Sequence, residues 1–95
     1  MITLVVNYLI RAGREAEAER YLRELISHSR REPGCRTYNV HRSIEEPREF
    51  LIYEQYDDAA ALDAHRAAPH FAEFGKNGLQ TIAERRVAAT YEPFE

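Results

Sequence analysis

The chain changes its hydrophobic period once near its start, at Gly13, and that change limits the folds open to it. Residues Ile2 to Ile10 (ITLVVNYLI) are aliphatic and β-branched, the composition of a strand. Beyond Ala12-Gly13 the apolar residues Ala18, Tyr21, Leu22, Leu25 and Ile26, with Ser29, recur at helical spacing. Arg14 to Arg31 is therefore predicted as an amphipathic helix with one buried stripe. Glu15, Glu17 and Glu19 stand early in it and Arg30 and Arg31 late, as the helix dipole prefers. Pro33-Gly34 stops this helix. Cys35 to Arg42 (CRTYNVHR) and Glu49 to Tyr56 (EFLIYEQY) read as two strands of an antiparallel hairpin around a turn at Ser43 to Arg48. Asp57 or Asp58 offers an N-cap for a short helix from Ala59 to Arg66. Pro69 suits the first turn of a further helix running to about Glu84, with a bend or break near Gly75 and Gly78. Val87 to Phe94 (VAATYEPF) is predicted as a fourth strand.

The resulting order, β-α-β-β-α-(α)-β, is the split βαβ pattern of an α+β, ferredoxin-like domain with a four-stranded antiparallel sheet. Its 95 residues make one domain, 1–95, with no internal repeat and no linker. Helices cover one face of such a sheet, so the other should be polar where it meets water. Here both faces carry apolar bulk. The first strand has Ile2, Leu4, Val6, Tyr8 and Ile10 on one side, and Val5 and Leu9 on the other. The third has Phe50, Ile52 and Tyr56 on one side, and Leu51 and Tyr53 on the other. The economical remedy is a homodimer packed sheet on sheet.

A net charge of -3 argues against nucleic-acid or anionic-membrane partners, which require clustered Lys and Arg. The one cysteine, Cys35, allows no intrachain disulfide and fits a cytoplasmic location. The apolar N-terminal run is too short to span a bilayer.

Glu32-Pro33-Gly34-Cys35 followed by Tyr38 resembles the "EPGC…Y" segment of antibiotic-biosynthesis-monooxygenase domains. Tyr53-Glu54-Gln55-Tyr56, then Asp58, Ala61-Leu62 and His65, resembles the same family. So does Ala64 to Phe71 (AHRAAPHF), in which Ala68 stands where the family usually has serine. The resemblance implies a dimeric α+β barrel with a pocket between sheet and helices in each subunit. The family includes cofactor-independent monooxygenases that convert polycyclic phenols to quinones, a quinol oxygenase, heme-degrading enzymes and an isomerase of a phosphorylated sugar. The leading expectation is a cofactor-independent monooxygenase of a small phenolic or quinol substrate, with molecular oxygen as co-substrate. An isomerase of a small carbonyl compound and a non-catalytic binding dimer are the alternatives.

His65 is the first candidate for the catalytic base or oxyanion partner; in the sugar isomerase a histidine stands at the matching position. An imidazole titrating near neutrality suits a phenolic proton. Its structural alternative is to cap or pack the short helix. Glu54 shares a strand face with Phe50, Ile52 and Tyr56, and a carboxylate among apolar groups becomes a base with a raised pKa or an ion-pair partner. Asn7 interrupts an apolar strand; the resemblance implies that it holds a substrate oxygen, as an asparagine in or near this strand does in some oxygenases of the family, and the alternative is an amide satisfied across the dimer sheet. Tyr53 lies next to Glu54 on the strand and points to the opposite face, so only one of the two can face a given pocket; Tyr53, His70, Phe71, Leu22 and Ile26 are the expected substrate-binding residues. His41 is placed on a strand, and His28 near the border of the helical stripe. The four histidines lack HxxxH or HxH spacing, so no metal ligand set is expected. In the heme-degrading branch a tryptophan stands where His65 stands and the heme-ligating histidine falls at Gly75. No heme or other cofactor is therefore expected.

Overall fold

The computed structural model describes residues 1–95. Four strands, β1 (Ile2–Ile10), β2 (Cys35–Arg42), β3 (Glu49–Tyr56) and β4 (Ala83–Tyr91), form one antiparallel sheet in the order β2-β3-β1-β4. Helices α1 (Glu15–Ser29) and α2 (Ala59–Ala67) lie on one face with a π-helical turn, Phe71–Lys76, and a 3₁₀ turn, Leu79–Ile82. This is the α+β, ferredoxin-like arrangement that the alternation of periods predicts.

The period-two rule sorts the strands. Leu4, Val6, Tyr8 and Ile10 of β1 are buried beneath the helices with Phe50, Ile52, Glu54 and Tyr56 of β3 and Tyr38 of β2. From α1 come Ala18, Leu22 and Leu25, from α2 Leu62, and from the 3₁₀ turn Leu79 and Ile82. No helix covers the other face, where Tyr53, Val87 and Tyr91 are exposed. Across it runs a polar row: Thr37 Oγ1 bonds to Gln55 Oε1 at 3.0 Å, and Gln55 Nε2 donates to Thr3 Oγ1 at 3.3 Å.

One expectation holds and one changes. The helix anticipated from Pro69 to about Glu84 is broken near Gly78, as its glycines predict. It divides into the π and 3₁₀ turns, and Gly78, at φ −118° and ψ −95°, leaves the helical region between them. A Cβ on Gly78 would lie 2.6 Å from the Phe74 carbonyl oxygen and 2.9 Å from the Tyr21 ring, so the close approach needs glycine. The fourth strand begins at Ala83 and ends at Tyr91, earlier than Val87 to Phe94. Its first half, AERR, lacks an apolar alternation and is held by backbone pairing to β1, as in Tyr8 with Arg86 and Leu9 with Arg85. No helix is long and apolar enough to cross a membrane.

Candidate functional site

Under the helices lies a cluster of ionisable side chains from three segments. The first is β3. Strand alternation turns Glu54 inward with Ile52 and Tyr56, leaving it 3% exposed, and the Tyr56 hydroxyl donates to Glu54 Oε1 at 2.6 Å. Burial is the main cause that raises the Glu54 carboxyl, to about 7; the Tyr56 hydrogen bond opposes it, and the charge of Glu32 adds to it.

The second segment is α2. Asp58 caps it, its Oδ1 accepting the Ala61 N–H at 2.8 Å. The chain turns extended at Ala68, as a residue before proline prefers. Between these ends Leu62 and His65 share the buried helix face. His65 is 2% exposed, and its ring packs against those of Tyr56 (5.1 Å between centroids) and Phe71 (5.2 Å, edge-on).

The third segment is the turn between α1 and β2. The Glu32 N–H donates to the Ser29 carbonyl at 3.1 Å, and the Glu32 carbonyl accepts from the Cys35 N–H at 3.1 Å. Gly34 lies so close to α2 that an added Cβ would stand 2.5 Å from the Ala61 Cβ. That approach brings the Glu32 carboxylate to His65 Nδ1, at 2.8 Å and 3.2 Å from its two oxygens. His70 Nε2 contacts the same Glu32 Oε2.

A carboxylate only accepts, so His65 carries its N–H on Nδ1 and turns the lone pair of Nε2 towards Glu54 Oε1, 3.6 Å away. Burial lowers the His65 pKa, with the Glu32 hydrogen bond acting against it. A neutral imidazole thus faces a carboxyl that titrates near neutrality.

Beside this pair is a cavity of about 20 Å³, lined by apolar groups including Leu4, Val6, Leu25 and Ile52, by the rings of Tyr8, Tyr38 and Phe71, and by Glu54 and His65. It accommodates roughly one water. Arg66 and Arg86, both exposed, also border it, and Arg86 Nε donates to the Tyr8 hydroxyl at 3.0 Å.

His65, Glu54 and Phe71 of the expected site residues meet at this cavity, and His70 joins through Glu32. Asn7 and Tyr53 do not. Both lie on the uncovered face, exposed, because strand alternation gives each the opposite orientation from Glu54. Leu22 and Ile26 also stand apart from it. Leu22 is core, Ile26 is half-buried against the core, and Leu25 is the α1 residue that reaches the cavity. Glu32, Tyr38, Arg66 and Arg86 had no such assignment from the sequence. Glu32, though within a quoted motif, meets His65 only through the fold.

The chain matches the antibiotic biosynthesis monooxygenase family over residues 1–77. It is 27% identical to the protein named "Putative monooxygenase Rv0793" of Mycobacterium tuberculosis, over 94% of this chain and 86% of that one. Among solved structures, PA3566 of Pseudomonas aeruginosa superposes with a TM-score of 0.92 at 29% identity, covering 99% of this chain and 94% of that one. SO0527 of Shewanella oneidensis gives 0.88 at 30% identity, covering 95% and 87%. Sequence match and shared fold agree, and the chain belongs to the antibiotic biosynthesis monooxygenase family.

Proposed function

We propose that the chain is a cofactor-independent monooxygenase acting on a small phenolic or quinol substrate beside Glu54 and His65. The observation that carries this reading is the buried pair itself, an imidazole nitrogen 3.6 Å from a carboxyl oxygen beside a largely apolar cavity. One of the two takes the phenolic proton, and the bordering guanidinium groups of Arg66 and Arg86 favour the phenolate. The electron-rich phenolate passes one electron to oxygen, and the resulting superoxide adds to a ring carbon that bears hydrogen, para to the oxygen in a phenol and ortho to it in a quinol. Loss of water from the hydroperoxide leaves the carbonyl product, so phenol and O₂ become quinone and H₂O, and quinol and O₂ become hydroxyquinone and H₂O. The protein orients the substrate, receives its proton and excludes water.

A cavity that binds benzene measures about 150 Å³, so substrate entry requires the space of about 20 Å³ beside Phe71 to widen. The segment best suited to move is Phe71–Ile82, built of short π and 3₁₀ turns around Gly78. The uncovered face, with Tyr53, Val87 and Tyr91, is assigned to a second copy of the chain, and sedimentation should find a dimer at micromolar concentration.

Oxygen uptake with a panel of hydroquinones and polycyclic phenols tests the reaction. Turnover of at least one, with quinone formed per O₂ consumed, is expected, and no uptake across the panel would refute it. A proton-transfer pair needing no oxidant also suits an isomerase of a small carbonyl compound. Turnover that persists under nitrogen would favour that reading.

A further inference from the structure

Glu32, His65 and His70 converge in a way the proposed reaction does not use. The three donor atoms, Glu32 Oε2, His65 Nδ1 and His70 Nε2, lie within 4.8 Å of one another. They come from separate segments: the α1–β2 turn, the last turn of α2, and the residue before the π turn. Two imidazoles and one carboxylate make the donor set of three-ligand zinc sites, which keep one position open. Calcium and magnesium favour all-oxygen sets instead.

We propose that Glu32, His65 and His70 bind one divalent transition-metal ion of the zinc type, with Glu54 orienting His65 from behind. Ligand bonds of about 2.1 Å in a tetrahedron separate donors by about 3.4 Å. The ion therefore fits once the two Glu32–imidazole contacts open towards that spacing and the two imidazole nitrogens, up to 4.8 Å apart, close by up to about 1.4 Å. The surroundings support the role. A metal-bound imidazole commonly donates its other N–H to a carboxylate. With the ion on Nδ1, the His65 proton resides on Nε2, facing Glu54 Oε1 at 3.6 Å, and Glu54 is itself held by the Tyr56 hydroxyl. The His70 ring is steadied by His28, stacked at 5.4 Å between centroids. A surface notch lined by His28, Pro69, His70, Glu73 and Phe74 gives the ion an entry path. The side chains of Glu32 and His70 are 15% and 14% exposed, so water competes less here than at a surface histidine such as His41. An ion on Nδ1 turns Nε2 from an acceptor into a donor, so occupancy and proton abstraction by His65 exclude one another. The site stands whether or not the proposed oxidation does.

Untagged, chelator-treated protein titrated with Zn²⁺ in a calorimeter, and with Co²⁺ by visible absorption, tests the site without any substrate. The expected result is one ion per chain, a Co²⁺ d–d band and a raised melting temperature. His70→Ala and Glu32→Gln should each weaken binding at least about tenfold, as should Glu54→Gln through the lost orientation of His65, whereas His41→Ala should not. Glu32→Gln preserves side-chain shape and serves where His70→Ala fails to fold. Three results would overturn the proposal: no saturable binding, affinity unchanged in Glu32→Gln and His70→Ala, or binding lost with His41→Ala. In the last two the ion would be held elsewhere on the surface. In the first, Glu32 would only bridge two imidazole N–H groups.

Discussion

Tyr53 and Glu54 are consecutive residues of β3, yet one is 36% exposed and the other 3%. Around Tyr53 the sheet presents Asn7, a Thr37–Gln55–Thr3 row of which only Thr3 is buried, and scattered apolar groups open to a flat partner. Around Glu54 the sheet's Tyr56 meets His65 of α2 and Phe71 of the π turn, with room for roughly one water. The polarity of the two faces differs less than their access to solvent. A carboxyl moved from one face to the other would lose the burial that makes it a base, and this comparison can be broken at several points.

The largest expected effect is on turnover. His65→Ala and Glu54→Gln should each lower kcat/KM by roughly 10²- to 10⁴-fold, the range for a lost acid-base group. Tyr53→Phe and Asn7→Ala should stay within about threefold, because their side chains point away from the cavity. Steady-state oxygen uptake on all four variants is the measurement. A loss at Tyr53 or Asn7 as large as at His65 would move the reaction to the other face.

Stability separates the faces next. Ile52 is 3% exposed and packed under the helices, so Ile52→Ala should cost about 2–5 kcal/mol in urea unfolding. Leu51, its neighbour on the uncovered face, is half-buried. Leu51→Ala should cost about 1 kcal/mol or less at low protein concentration, with a penalty that grows with concentration if a second copy covers it. A concentration-independent cost equal to that of Ile52→Ala would show that the two faces are buried alike.

The pH dependence is specific to the covered face. The Glu54 carboxyl is raised from 4.5 to about 7. Between those values the native protein holds a proton that the unfolded chain has released, so stability falls as pH rises through that window and levels above it. The full drop is about 3 kcal/mol as an upper bound. The lowered pKa of His65 acts in the opposite sense, favouring the native state as pH rises towards 6.5. The difference between wild type and Glu54→Gln therefore isolates the carboxyl. Urea unfolding of ion-free protein at pH 5 and pH 8 should show the variant gaining on wild type at the higher pH. An equal change in both would mean that Glu54 is not desolvated.

The parts of this site that were legible in the sequence are those set by local period. Alternation in EFLIYEQY places Glu54 with Ile52 and Tyr56, and helical spacing after Asp58 puts His65 above Leu62. The same alternation sets Tyr53 opposite Glu54, so only one of the two could face the pocket, whereas the expected role of Asn7 came from resemblance and not from a face assignment. On α1, spacing finds the stripe but not its depth, so Leu22 and Ile26 could not be told from Leu25, which alone of the three reaches the cavity. Contacts across the fold leave no local trace. Glu32 is 33 residues from His65 and 38 from His70, and no HxxxH rule could unite them. The charged first half of β4 hid a strand held by pairing with β1.

The most local predicted effect concerns what keeps the two faces chemically distinct, the seating of α2 on the turn that carries Glu32. Gly34 has no room for a Cβ against Ala61, and its carbonyl also accepts the Asp57 N–H at 2.9 Å, just before the cap of α2. Gly34→Ala must push turn and helix apart, at an overpacking cost of about 1–3 kcal/mol. The shift acts between Glu32 and His65, so the Glu32 hydrogen bond to Nδ1 should lengthen before the sheet is disturbed. Imidazole NMR signals should then show His65 exchanging its Nδ1 proton faster than in wild type, with the backbone signals of β1 and β3 unmoved. Pairing Gly34→Ala with Ala61→Gly, which removes the opposing methyl, should restore most of the lost stability. If it does not, the close approach of turn to helix is not what positions the imidazole, and the distinction between the two faces must be sought in the sheet alone.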